Sequence, residues 1–86
     1  MPKPSHDDRI YAMFLYDLGP ILKERAFQHK ANRDAAAPAS EERLFNDGLV
    51  LGFNEVISIL QQQADSFQIR RQDLRLEDID PDRDLL

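Results

Sequence analysis

Two carboxylates, Asp17 and Glu55, fall inside apolar stretches of this sequence. There a titratable side chain could share a proton with a neighbour or help to hold a metal. Bundle-type carboxylate sites need several glutamates and Glu-x-x-His pairs, and neither His6 nor His29 has a glutamate three residues before it. Neither histidine stands in a context that supports a Ser-His-Asp nucleophile, such as G-x-S-x-G. The run "DIDPDRD" alternates Asp78, Asp80, Asp82 and Asp84 like the start of a calcium loop, but lacks the turn glycine and the closing glutamate. The expectation is a protein that is not an enzyme, with no catalytic, cofactor-binding or metal-binding residues and no cofactor. Asp17 and Glu55 are expected at the edges of helices, reaching solvent or an arginine such as Arg9 or Arg43.

Gly48 and Gly52, in "FNDGLVLGFNEVISIL", raise a different question. They lie within a helix-period apolar run rather than ahead of a helix, so they do not form a phosphate-binding loop. Two glycines in a helix interior cost together about 2 kcal/mol relative to alanine. Four residues apart, they open a smooth strip on which another backbone can come close. Three occupants are conceivable: the first helix of the same chain, the equivalent helix of a second subunit, or a ligand. Leu44, Leu51 and Ile59 lie off the centre of the main apolar stripe, on the glycine flank, and call for a second neighbour. The expectation is a homodimer whose interface comprises Leu44, Gly48, Leu51, Gly52, Glu55 and Ile59.

These residues need two long helices to position them. Ser5 and Asp8 form a capping-box pattern ahead of a run in which Ile10, Met13, Phe14, Leu18, Ile21 and Leu22 share one broad face. Gly19-Pro20 interrupts that run, but the apolar phase survives it, which predicts a kinked helix rather than a chain reversal. "NRDAAAPAS" reads as a loop, and Ser40 as the cap of a second helix with Glu41 and Glu42 in its first turn. That helix is expected from about Glu41 to Ala64 or Phe67. Its stripe is Phe45, Leu49, Phe53, Val56, Leu60, Ala64 and Phe67, opposite a wet stripe of Asp47, Asn54, Ser58, Gln61 and Asp65. The fold class predicted is all-α: an antiparallel helical hairpin dimerising into a four-helix bundle, with an extended acidic C-terminal tail. The boundaries are 1–5 for a flexible N-terminus, 6–68 for the hairpin, and 69–86 for an extended or disordered tail.

Composition bounds the rest. Eighty-six residues make one domain of a size that commonly oligomerises. Without cysteine, neither a disulfide framework nor a cysteine-zinc site can staple it, which favours a reducing cytoplasm. No apolar stretch approaches a membrane span. The net charge of −5 argues against nucleic acid or an anionic membrane as the main partner. Most of that charge sits after Gln72: six acidic residues stand there against Arg75 and Arg83. Five aliphatic side chains interleave with them, so Leu74, Leu76 and Ile79 are expected to anchor the tail on a partner protein, or back on the chain itself. Opposite the tail in charge is a basic patch of Lys23, Arg25, Lys30 and Arg33. The function expected is a homodimeric protein-protein interaction module with an unidentified protein partner. The alternatives are a nucleic-acid-binding regulator using residues 23–33, and a small ligand- or metal-binding bundle enzyme using Asp17 and Glu55.

Overall fold

A computed structural model describes residues 6–86, with side chains from residue 8 onward. The Ser5 cap, the 1–5 boundary and the His6 side chain lie outside this range. Within it the chain is all-helical, with no strand. α1 spans His6–Ala35, α2 spans Glu41–Ser66, a 3-10 turn covers Arg71–Leu74, and α3 is the short Pro81–Leu85. No described helix is long and apolar enough to cross a membrane.

α1 runs through Pro20 without reversing the chain. It ends where Ala36 enters the loop, whose Ala39 takes a left-handed φ of 63°. Ser40 then caps α2: its extended backbone points the hydroxyl at the Arg43 amide, which donates to it over 3.1 Å. α1 and α2 pack antiparallel, as their cross-contacts show. Arg43 donates to the Ala36 carbonyl at 3.2 Å, Arg33 meets Asp47 at 3.5 Å, and His29 stacks on Phe53 with ring centres 5.4 Å apart.

α2 stops in a Schellman turn. Gln68 adopts φ 58°, its amide donates to the Asp65 carbonyl, and the Ile69 amide donates to the Ala64 carbonyl at 2.8 Å. The turn sends the chain back along the hairpin. Here the structure departs from the extended or disordered tail expected over 69–86. Leu74, Leu76, Ile79 and Leu85 are buried and form one core with Ala26, Val50, Ile57 and Ala64. Asp80 caps α3 by accepting from the Arg83 amide, and Pro81 occupies its first turn.

The returning segment also resets which faces are inside. The buried positions of α2 are Asn46, Val50, Ile57, Gln61 and Ala64. Phe45, Val56 and Phe67, expected in the inner stripe, are exposed, and Gln61, expected in water, is 4% exposed. In α1 the inner positions are Leu15, Leu18, Gly19, Leu22 and Ala26, whereas Ile10, Met13, Phe14 and Ile21 are exposed. The cause is that each helix touches two neighbours. One flank of the inter-helix seam meets the other helix, and the next flank meets the returning segment. Gln61 shows why a polar residue suits that position: its Nε2 donates to the Leu76 carbonyl at 2.9 Å and the Ile79 carbonyl at 2.8 Å. Both acceptors belong to irregular backbone that would otherwise be buried unpaired.

Candidate interaction surface

The returning segment covers one face of the hairpin and leaves the other bare. On the bare face α1 and α2 form a shallow groove of about 250 Å³ lined by Leu22, Gly48, Leu49, Gly52, Phe53 and Val56. A second apolar hollow of about 140 Å³ lies where α1 and the last turns of α2 meet the start of the returning segment, lined by residues including Leu15, Leu60, Phe67, Ile69 and Leu74. No charged side chain lines either one. Around them stand Ile10, Phe14, Ile21, Phe45, Val56, Ile59 and Phe67, each between 44% and 71% exposed. A surface with this many contiguous large apolar groups usually marks an interaction site.

The two glycines open onto the groove, and a β-carbon built at either would meet nothing within 4 Å. The first helix of the same chain therefore does not need them; Gly19 is the glycine at a close approach within the chain. Ile59 borders the groove. Leu44, Leu51 and Glu55 are exposed too, but at 100° per residue they stand more than about 100° around α2 from Leu49 and Val56. The six residues of the expected interface thus share one sector of about 100° around α2, with Gly48 and Gly52 lining the groove and Leu44, Leu51 and Glu55 beyond the glycines from Leu49 and Val56. Phe45, Val56 and Phe67 belong to the open face although their spacing assigned them to the core, whereas Phe53 lines the groove and also packs against the core, as expected. The signal for this was an α2 too apolar around its circumference for a single buried face.

The tail anchors Leu74, Leu76 and Ile79 are internal and unavailable to another protein in this conformation. Of the basic patch, Lys23 binds Asp78 at 2.8 Å, Lys30 binds Asp34 at 3.1 Å, and Arg33 meets Asp34 and Asp47. The hydrogen bond from Lys23 holds the Asp78 carboxyl below the ordinary carboxylate range, and those from Lys30 and then Arg33 do the same for Asp34. Three of the four cations are thus already matched by carboxylates, which weakens the patch as a phosphate-binding surface. Arg25 is exposed.

Asp17 and Glu55 are both exposed and sit on different helices without a shared partner site. Among the described residues no group of three or more His, Asp or Glu side chains is placed to hold a metal ion. A polar cleft lies between Gln61, Arg71 and the 77–83 segment, and its charged lining residues Arg71 and Arg83 are paired with carboxylates at its border. Arg71 binds Asp65 at 2.7 Å beside it, and Arg83 binds Asp84 at 2.8 Å. Arg75 lies over the Tyr16 ring at 4.9 Å, tying the returning segment to α1. No family model matches this sequence, and neither a curated protein nor a solved structure matches it.

Proposed function

We propose that this protein is a non-catalytic protein-protein interaction module that acts as a homodimer through the bare apolar face of its hairpin. The exposed apolar face around Phe45, Val56 and Phe67 carries this reading. The amount of surface supports it. A compact chain of 10.0 kDa exposes about 5,200 Å². This chain exposes 6424 Å² over an elongated body 57 × 21 × 16 Å. The excess reflects that elongation, which lays both helices side by side along an open flank; a stable complex buries roughly 800 Å² on each partner. A second copy suits a groove without charged lining, because an uncharged surface can face its own image without repulsion. A cytoplasmic location accompanies this reading, given the absence of cysteine.

Sedimentation at micromolar concentration tests it, with an expected mass of twice 10.0 kDa. Val56→Lys should give a folded monomer, because the ammonium is harmless in water but would be buried unpaired between copies. A wild-type chain that sediments as a monomer at tens of micromolar overturns the reading.

A further inference from the structure

We propose that the groove beside Gly48 and Gly52 is filled by Phe67 of a second copy, in a dimer whose twofold axis crosses α2 between Val56 and Leu60. This inference rests on the homodimer reading and specifies how the two copies meet. Phe67 is the most exposed large apolar side chain among the described residues, at 71%. It is not on a loose end: it is the C-cap of α2, and the Schellman turn immediately after it holds its backbone. An aromatic ring presented on a fixed backbone loses little conformational freedom when it docks.

The groove is the matching recess. Its lining is apolar, its volume is about 250 Å³, and its floor is open where Gly48 and Gly52 carry no side chain. Recess and ring are on the same side of the same helix, since Leu49, Val56 and Phe67 fall within about 20° of one another at 100° per residue. They are separated by about 25 Å along α2, at 1.5 Å per residue. A protrusion and a recess at opposite ends of one face are self-complementary under a twofold axis midway between them. Each copy then receives the other's Phe67, and both contacts form together.

The register that follows is antiparallel. Leu49 faces the second copy's Phe67, Gly52 faces its Gln63, which is exposed on the same side of α2, and Val56 faces its Leu60. With no side chain at Gly52, the two α2 backbones can approach there. On α1 the same axis passes near Ile21, which is half exposed on the open side. A crossing centred on the glycines themselves would put the axis near Val50 instead. It would leave Phe67 and the last turns of α2 bare.

The absence of native cysteine makes disulfide trapping a clean test. Chains carrying Gly52→Cys and chains carrying Gln63→Cys, both exposed positions, are mixed and oxidised under mild conditions. The expected product is the mixed 52–63 disulfide, with little 52–52 product. Phe67→Ala should raise the dimer dissociation constant at least tenfold in sedimentation, whereas Phe27→Ala, elsewhere on α1, should leave it unchanged. Circular dichroism of each variant checks that helicity is retained. A dimer in which Gly52→Cys links to itself or to Gly48→Cys, or in which the 52–63 pair stays reduced, overturns this register and leaves the homodimer standing. A wild-type monomer overturns both.

Discussion

Gly19 lies directly beneath the Leu74 carbonyl: a β-carbon at position 19 would overlap that oxygen and come within 3.4 Å of Leu76 Cγ. Gly19 is therefore where α1 lets the returning segment sit down. In an isolated helix Gly19→Ala would stabilise by about 1 kcal/mol. Here the collision is with backbone, which cannot swing aside, so the sign should reverse to a loss of about 1–3 kcal/mol. Gly48→Ala and Gly52→Ala meet no atom and should each stabilise the monomer by about 1 kcal/mol. Thermal melts in dilute solution should separate the three, at roughly 4–8 °C per kcal/mol for a domain of this size.

Gln61 is expected to matter more than any other polar side chain. Gln61→Leu keeps the bulk but strips the donor from the Leu76 and Ile79 carbonyls. Leaving buried carbonyls unpaired costs about 1–3 kcal/mol each. The melt should fall accordingly, with amide exchange rising first in residues 75–80. An unchanged melting temperature would mean that water replaces the donor and the segment is less enclosed than it looks.

Gln68 occupies a left-handed position, φ 58°, where a side chain is strained. Gln68→Gly should relieve about 1 kcal/mol of that strain while keeping the Schellman hydrogen bonds. A rise in melting temperature of a few degrees is the expected result, and a fall would show that the Gln68 side chain has a compensating contact.

Acid should loosen the returning segment early. Asp78 is held below its usual range by the hydrogen bond from Lys23, and Asp65 by that from Arg71. The hydrogen bonds from Arg83 and the Asp80 amide bring Asp84 down to about 2. For carboxyls with a lowered folded value, the stabilisation is present above the unfolded pKa of about 3.9 and is lost as pH falls through the folded value. Stability should therefore be level from pH 7 to about 5 and decline from about pH 4 toward pH 2. These pairs are largely exposed, so the decline should be modest and smaller in high salt. Asp78→Asn should flatten part of it in a urea titration repeated across pH.

Truncation after Gln72 removes Leu74, Leu76, Ile79 and Leu85 from the core. Four buried aliphatic side chains contribute together about 6 kcal/mol or more, a large share of what a small domain has. The truncated chain should lose cooperative unfolding and much of its helical circular dichroism. A truncation that melts like the full chain would show the hairpin to be self-sufficient.

Local chemistry was legible. Ser40, Glu41 and Glu42 define the start of α2 because capping is decided within four residues, and Pro38 denies a helix across the loop. The survival of apolar phase through Pro20 correctly indicates one continuous path for α1. That Gly48 and Gly52 stand open was not legible, since their spacing suits close packing on the first helix of the same chain as well as an approach from outside it. Nor was it legible which face turns inward. α2 is apolar around so much of its circumference that its period fits several rotations, so Val56 and Phe67 read as core while Gln61 read as surface.

The sequence by itself determined the two helices, the Ser40 cap of α2 and their antiparallel return, because those depend on neighbours within a turn or two and on a short loop. Only the tertiary structure decided that residues 69–86 are core rather than tail. Leu74, Leu76, Ile79 and Leu85 have no period of their own to announce burial. Their place exists only once α1 and α2 are side by side, with Gly19 clearing space for Leu74 and Gln61 supplying donors to Leu76 and Ile79. That packing fills one face of the hairpin, so the apolar residues left over gather on the opposite face, a consequence of long-range contacts that no local pattern encodes.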